Sequence, residues 1–337
     1  MSALTVVRAG ARRRSVLVVG ATALLVVVAA VVTLMMGDYP LSPAQVWSAL
    51  TGGGERVEQY VVLQVRLPRL VMALLVGGAL GAAGALLQSL LRNPLASPEL
   101  LGISGGASLA AVFALLTLGV SGPALPAIAF TGGLAASLLL LSAARGRAAG
   151  YRLILAGIGL AFFTSAIIAF LMTRAQLQQT QSAVIWLTGT LSSTPWWQVA
   201  VLAGVWLAAL PALYVSGRWL PILALGPDAA SGLGVRPGLA RLVCIVVAVL
   251  LTAVTCAFAG PIAFVALCAP AIARPLVGHG SAAIGSSVLV GAVLLAFADL
   301  LAQFALPGVS MPAGVVTGAL GAAFLLWLLA TSKGREL

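Results

Sequence analysis

Apolar residues occur along the chain in long runs that short polar segments separate. Crossing the hydrocarbon core of a membrane as a helix takes about 20 apolar residues. Pro261 and Pro270 interrupt one run, the eighth, which makes it the least regular. The runs lie at residues 16–36, 70–91, 102–118, 124–141, 153–172, 197–215, 242–258, 261–277, 282–302 and 313–330. The pattern predicts an all-α polytopic membrane protein of about ten transmembrane helices.

One segment, residues 217–241, is too polar to span a membrane, yet it contains helix start and stop signals that an irregular loop would not need. Pro227 suits the first position of a helix, and Asp228 in the first turn favours the helix dipole. Gly232 or Gly234 can end that helix after about two turns. We therefore expect a short helix that lies along one membrane face.

Small residues share one face of two predicted spans. Missing side chains on a helix face let neighbouring backbones approach closely, so tight packing between helices is expected. A channel-lining role is the alternative for the same glycines. They are Gly77, Gly78, Gly81 and Gly84 in the second span and Gly314, Gly318 and Gly321 in the tenth.

Composition supports the membrane assignment. Hydrophobic residues make up 61% of the 337 residues and charged residues only 7%, which leaves too little polar surface for a water-soluble globule. The first apolar run is longer than a typical signal core and lacks a cleavage site, so it is interpreted as a retained helix. We expect a single transmembrane domain over residues 1–337, with residues 1–15 as an N-terminal tail that the orientation below places in the cytoplasm.

The basic residues predict the orientation. With ten spans and an inside N-terminus, the inside segments hold 14 of the 18 basic residues, which places both termini in the cytoplasm. The net charge of +11 then follows from topology, without a nucleic-acid role. The inside set is Arg8, Arg12, Arg13, Arg14, Arg92, Arg145, Arg147, Arg152, Arg218, Arg236, Arg241, Arg274, Lys333 and Arg335, and the outside set is Arg56, Arg66, Arg69 and Arg174.

Catalytic chemistry finds little support in the sequence. The sole histidine, His279, has no partner in its sequence context, and no phosphate-binding P-loop or nucleophile-elbow motif occurs. Cys244, Cys256 and Cys268 lie in or beside apolar runs without a C-x-x-C pair, which is typical of small core residues. We expect no enzyme activity, metal or cofactor in this chain.

Three charged residues lie near the outer ends of predicted spans. A carboxylate such as Asp299, in the ninth span, is costly at membrane depth unless it is paired or hydrated. A structural hydrogen bond to a neighbouring helix and a role in ion coupling are the two explanations for Asp299, and the hydrogen bond is favoured. Arg66 and Arg69, in VRLPRL, are explained by snorkelling at a helix end or by a cationic patch that grips carboxylates of an approaching protein.

The stretch RLPRLVMALLVGGALGAAGALLQSLLRNPLASPELLGISGGA resembles the signature of the FecCD/BtuC-type ABC importer permeases, which take up iron–siderophore complexes, haem or vitamin B12. The later stretches WLTGTL, LGPDAASGLGV, AGPIAFVALCAPAIAR and ADLLAQ, followed by PAGVVTGALGAAF, agree in the same order. Agreement at this many separated points is specific, although any one of them alone is weak.

The resemblance implies a two-fold dimer of ten-helix permeases, two cytoplasmic ATPase subunits that hold ATP, and an extracytoplasmic solute-binding protein. Arg66 and Arg69 match arginines at which that protein docks. The coupling loop to the ATPase lies within residues 217–241 and includes Leu225, Gly226, Asp228, Ser231, Leu233 and Gly234. Residues of the structural motif are Gln88, Arg92, Asn93, Pro94 and Asp299.

The chain departs from the family pattern at three positions. Pro227 replaces one of two acids usual in the coupling loop, and Ala271 stands where a histidine is common. Gln303 stands where some relatives have a third docking arginine. We expect docking to depend more heavily on Arg66 and Arg69 for that reason.

The resemblance implies a multi-pass permease of a bacterial cytoplasmic membrane that imports a ferric siderophore. Haem and cobalamin are other ligands of the class, and a permease paralogue can replace the second copy. An ion-coupled secondary transporter would need membrane carboxylates beyond Asp299. The turn RNPLASPE is expected at the cytoplasmic surface, as a structural corner close to the coupling surface.

Overall fold

The computed structural model describes residues 3–143, 149–192, 194–278, 282–306 and 310–332. All regular secondary structure in these residues is helical. A π-helical segment (Val61–Arg66) joins α3 to α4, and a 3₁₀ turn (Pro98–Leu101) precedes α5. The helices are α1 (Ala3–Met35), α2 (Pro43–Leu50), α3 (Arg56–Tyr60), α4 (Leu67–Leu91), α5 (Ile103–Thr117), α6 (Ala124–Ala143), α7 (Ala149–Arg174), α8 (Leu177–Thr188), α9 (Trp196–Leu223), α10 (Pro227–Gly232), α11 (Pro237–Ala259), α12 (Val265–Val277), α13 (Ile284–Phe304) and α14 (Ala313–Ser332).

Each predicted apolar run coincides with one helix, and the all-α architecture is confirmed. Seven helices of the described chain are long and apolar enough to cross a membrane. They are Val16–Met35, Arg56–Leu91, Ala124–Ala143, Leu155–Arg174, Trp196–Leu223, Pro237–Ala259 and Ile284–Phe304. The other three runs form shorter apolar helices, at Ile103–Thr117, Val265–Val277 and Ala313–Leu328.

Two connections are more helical than the sequence suggested. Helix α1 begins at Ala3, so most of the predicted tail continues directly into the first apolar run, because no proline interrupts it. Helix α8 lies within residues 174–196, between two of the predicted apolar runs. Ala183 on α8 is fully buried, and Trp186 packs on the cluster of Ala107, Cys256 and Ala257. Burial of this apolar face explains the additional helix.

Helix α4 is the centre of the bundle. A continuous stretch, from Val76 to Gln88, is buried among α9, α11, α12 and α13. Three of its glycines meet neighbouring backbones: a Cβ on Gly77, Gly81 or Gly84 would collide with the carbonyls of Gly291, Ser287 and Ala266, respectively. The packing role of the predicted glycine face is therefore present in α4.

The glycines of α14 behave differently from one another. A Cβ on Gly314 would collide with the carbonyl oxygen of Thr188, and one on Gly321 would collide with the side chain of Phe264. Around Gly318, no atom of the residues that the structure describes lies within 4 Å of the added Cβ. Only two of these three glycines are therefore needed for packing within the chain.

The turn RNPLASPE lies only partly at the surface, which corrects the expectation for it. Arg92 ends α4 in the left-handed conformation, with φ 51°, and Asn93 and Pro94 are exposed. Ser97 and Pro98 are buried, and Glu99 lies beside Val76 and Leu80 of α4. By the helical rise per residue, Val76 and Leu80 lie about 13 and 20 Å from the start of α4, which is about 37 Å long. The chain thus runs back to mid-depth before α5 begins.

Candidate functional site

The two ends of the bundle carry the two sets of predicted site residues. We call the end with Arg92, Arg218 and Arg274 the basic end, and the end with Arg66 and Arg69 the mouth end. His279, Arg145, Arg147, Lys333 and Arg335 lie outside the described residues.

The predicted coupling loop is shorter than residues 217–241. Its first seven residues continue α9, and residues 237–241 begin α11. Both ends are helical because apolar residues such as Leu220 and Ala240 are buried there. The remaining connection contains α10, whose start at Pro227 and end at Gly232 agree with the predicted short helix.

Local geometry explains why α10 is a separate helix. Gly226 and Gly234 flank it with φ of 104° and 79°, a backbone conformation that favours glycine. The hydroxyl of Ser231 donates to the carbonyl of Pro227 at 2.8 Å. Ala230 is fully buried, in a cluster with Val235 and Ala240 against Trp219, Ile222 and Leu223. One face of α10 is therefore fixed to the ends of α9 and α11.

The opposite surface of α10 is open. Leu225 and Leu233 are 65% and 60% exposed, and Asp228 and Ser231 are exposed as well. Large apolar side chains that flank a carboxylate outside an apolar bundle are typical of a protein contact surface. The six loop residues that the resemblance assigned to coupling therefore include exposed side chains that suit contact with a partner protein.

Arg92 joins α4 to the end of α9. Its Nη2 atom donates to the carbonyl oxygens of Leu223 and Ala224, at 3.0 and 2.8 Å. These carbonyls end α9 directly before α10, where a helix leaves acceptors unsatisfied and a positive charge is favourable. The structural-motif arginine therefore links the central helix to the start of the coupling loop.

A cavity of about 320 Å³ lies beside this link. Gln88, Asn93 and Pro94, from the predicted structural motif, line it together with Arg92 and Arg274. Gln88 donates to the carbonyl of Leu267 at 3.1 Å, and Arg274 donates to the hydroxyl of Ser89 at 3.1 Å. The motif residues thus connect α4 to α12 as well as to α9.

At the mouth end, Arg66 is buried. Only 8% of the residue is exposed, and its guanidinium donates to the carbonyls of Leu34 and Tyr39, at 2.8 and 2.6 Å. A Cβ on Gly37 would collide with the same guanidinium, so that glycine makes room for it. Arg66 therefore caps the C-terminal end of α1.

Arg69 and Asp299 form an ion pair between α4 and α13. Nε and Nη2 of Arg69 donate to the two carboxylate oxygens, at 2.9 and 2.8 Å, and the exposed fractions of the two side chains are 15% and 4%. Gln303 also donates to the carboxylate, at 2.8 Å. Asp299 thus has the hydrogen-bonded partner on a neighbouring helix that its apolar surroundings require, and Gln303 belongs to the same cluster.

Both arginines assigned to docking are therefore engaged within the chain. Little of either guanidinium is open to an approaching protein, and the docking role stays a prediction. The sequence contained one signal for this arrangement: a single acid in an apolar run needs a donor, and the nearest arginines in depth are at the start of the second span.

Trp196, the first residue of α9, contacts the π-helical segment. The indole N–H of Trp196 donates to the carbonyl of Leu63 at 2.8 Å. Pro68, five residues after Leu63, has no N–H to offer to that carbonyl in a π-helical segment. Sequence patterns gave no indication of this contact, because they do not predict the π-helical register.

The cysteines are free and buried, at 0%, 3% and 5% exposure for Cys244, Cys256 and Cys268. They behave as small core side chains. Among the described residues, no group of three or more His, Cys, Asp or Glu could hold a metal ion.

Comparison with known proteins gives matches over nearly the whole chain. The ferric enterobactin transport system permease protein FepG of Escherichia coli K12 is 40% identical over 304 residues, which cover 90% of this chain and 92% of that protein. The vitamin B12 import system permease protein BtuC of Vibrio cholerae is 36% identical over 305 residues, with 88% of each chain covered.

A solved structure shares the fold. It is an inward-facing conformation of a metal-chelate type ABC transporter, with a TM-score of 0.79 and 28% identity over 93% of this chain and 98% of that chain. The model of the FecCD transport family matches residues 24–331. The chain therefore belongs to the FecCD transport family.

Proposed function

We propose that the chain is the permease subunit of an ABC importer that carries a ferric siderophore, or a related iron chelate, across the cytoplasmic membrane of a bacterium. The observation that carries the proposal is α10, a short helix whose exposed Leu225, Asp228 and Leu233 stand at the end of a bundle that belongs to the FecCD transport family. Such a helix offers a cytoplasmic ATPase subunit a surface to bind.

The proposed assembly has two permeases, two ATPase subunits and an extracytoplasmic solute-binding protein, embedded in lipid. The second permease is a copy of this chain or a paralogue. In this proposal the chain crosses the membrane ten times, non-helical backbone completes the crossings that contain the short helices α5 and α12, and both termini lie in the cytoplasm. The presence of Arg92, Arg218, Arg236, Arg241 and Arg274 at the same end as α10 supports this orientation, because cytoplasmic segments are enriched in basic residues.

Contacts within the chain provide a route for the conformational change. Closure of the ATPase subunits moves α10, which is fixed through Ala230 to Trp219 and Leu223 of α9. Arg92 ties the end of α9 to α4, and α4 contacts most of the core. Differential binding of the ATPase to two arrangements of these helices then opens the pathway to one side or the other. ATP stays in the partner subunits, and this chain holds no cofactor.

Two other functions remain as candidates. The similarity to a vitamin B12 permease favours cobalamin, with haem, as a ligand of the same kind of importer. An ion-coupled secondary transporter would need free carboxylates at depth. Asp299 is paired with Arg69 and does not meet this need, whereas Glu99 is a second acid near mid-depth and is the observation that favours such a transporter.

Uptake into proteoliposomes that contain the whole importer tests the ligand. A panel of ferric hydroxamates, ferric catecholates, ferric citrate, haem and cobalamin would be offered with the cognate binding protein. We expect saturable uptake of one or more ferric chelates. Uptake of haem or cobalamin alone would assign the importer to the other ligands of the class.

A further inference from the structure

Glu99 occupies a narrow recess near the middle of the bundle. Val76 and Leu80 of α4 line it on one side, and Thr252, Thr255 and Cys256 of α11 on another. Residues 260–262, a non-helical segment before α12, close the remaining side. The acid therefore lies at the depth at which two short helices, α5 and α12, begin.

The side chain of Glu99 is exposed although its neighbours are not. Ala96, Ser97 and Leu101 are 1%, 6% and 3% exposed, whereas Glu99 is among the exposed residues. Part of its carboxylate is satisfied, since it lies against the hydroxyl of Ser97 and the backbone N–H of Phe264. Glu99 therefore combines hydrogen bonds within the chain with access to solvent.

The polar residues that line the recess include acceptors. They are Glu99, Ser104, Thr252, Thr255 and Cys256, and within the described part of the chain no Lys, Arg or His lines the recess. The hydroxyls of the two threonines donate to carbonyls of their own helix, at 2.8 Å each. Glu99 therefore sets the charge of this surface, and it attracts cations and hydrogen-bond donors.

The open side of such a recess has three possible surroundings in a membrane: lipid, a partner protein or water. An acid exposed to acyl chains at mid-depth is very costly, and acids in membrane segments face the protein interior or a water-filled cavity. Non-helical backbone at this depth is likewise tolerated only where protein or water covers it. Both the acid and the non-helical backbone before α12 therefore exclude lipid from this side.

We propose that the recess opens onto the aqueous translocation pathway, where Glu99 presents a carboxylate to the donor groups of the passing ligand. The proposal rests on the proposed function and deepens it, because it names the surface of the chain that the ligand meets. It gives the pathway wall a local preference for cationic and donor-bearing groups.

Thiol labelling of the full chain, in membranes that also contain its partner subunits, tests the proposal. The three native cysteines are replaced by alanine, and Ser104→Cys supplies a reporter in the recess. Rates are measured with a cationic and an anionic methanethiosulfonate. A matched control is Leu207→Cys, midway along α9 and 69% exposed, which we expect to face lipid.

We expect the reporter at position 104 to react with both reagents much faster than the one at position 207. With each rate divided by that reagent's rate with a free thiol in solution, the cationic reagent should react about threefold or more faster than the anionic one at position 104, by the Coulomb energy of one nearby charge in water. Adding Glu99→Gln, an isosteric change, should bring this ratio close to one. Immunoblots would show that all variants are present in equal amounts.

Two outcomes would overturn the proposal. One is a reporter at position 104 that is as unreactive as the control at position 207, which would mean that lipid or protein covers the recess. The other is a charge preference that Glu99→Gln leaves unchanged. Labelling needs neither ATP nor ligand, so it tests the recess independently of transport. A reactive reporter in a chain that fails to import iron chelates would contradict the proposed function but would still support a water-filled recess.

Discussion

At the scale of single residues, Arg69 and Asp299 illustrate how this bundle accommodates charge. The sequence predicted that Asp299 needs a hydrogen-bonding neighbour, because a lone carboxylate in an apolar run is costly. It did not identify Arg69 as that neighbour, since the family signature assigned this arginine to docking. The pairing depends on the position of α13 against α4, which no local pattern specifies.

Removing one member of the pair should be much more harmful than removing both. Arg69→Leu leaves the carboxylate of Asp299 buried with only Gln303 as a donor, and we expect a loss of about 3–5 kcal/mol in the free energy of unfolding. The double variant Arg69→Leu with Asp299→Leu should recover most of that loss. Thermal or denaturant unfolding in detergent measures both.

Arg174→Leu is the matched control, because Arg174 lies at the same end and is exposed, over the ring of Phe170. It should change stability by less than about 1 kcal/mol. Equal losses for the single and double variants would mean that Arg69 and Asp299 do not stabilise the fold as a pair.

The same double variant tests docking more cleanly than charge reversal does. Arg69→Glu would set a second carboxylate against Asp299, so a loss of docking could not be distinguished from a loss of fold. A folded chain without the charge of Arg69 should bind the solute-binding protein more weakly than the unchanged chain does. This difference should become smaller at high salt, because salt screens the charge. Binding that is unchanged at low salt would remove Arg69 from the docking surface.

At the scale of helices, the sequence predicted helix ends correctly where neighbouring proline and glycine residues mark them. Pro227 and Gly234 marked α10 because proline fits the first turn and glycine fits a positive φ. Helix α8 and the return of residues 96–101 to mid-depth were missed. Both depend on burial against distant segments, although the shortness of the third run, about 25 Å as a helix, was a signal that part of the depth is spanned by other structure.

Arg92 should act in coupling through the end of α9. Arg92→Gln removes the bonds to Leu223 and Ala224, so movement of α10 would reach α4 less directly. We expect the number of ligands imported per ATP hydrolysed to fall several-fold while basal ATP hydrolysis persists. Arg241→Gln, at an exposed arginine of the same end, is the control. A parallel fall in hydrolysis and import would indicate general damage instead.

The glycine face of α4 gives a second prediction for helix packing. Gly84→Ala forces a Cβ against the backbone of Ala266, and we expect a loss of about 1–3 kcal/mol in the free energy of unfolding. Gly318→Ala, where the added Cβ meets no atom within 4 Å, should be close to neutral. Equal effects in unfolding measurements would argue against close packing at Gly84.

At the scale of the whole molecule, the separated sequence motifs were more informative than composition. The apolar runs indicated a polytopic bundle, which many unrelated transporters share. Ordered agreement from RLPRL to PAGVV predicted the family, and the family match over residues 24–331 confirms it. The ligand could not be predicted, because relatives named for different ligands match the chain at similar identity.

The energy source of transport tests the central claim most directly. Proteoliposomes with the permease, its ATPase subunits and the loaded binding protein would be supplied either with internal ATP or with a proton gradient alone. We predict uptake of the ferric chelate with ATP, no uptake with a non-hydrolysable analogue, and none with the gradient alone. Uptake that follows the proton gradient without ATP would contradict the account.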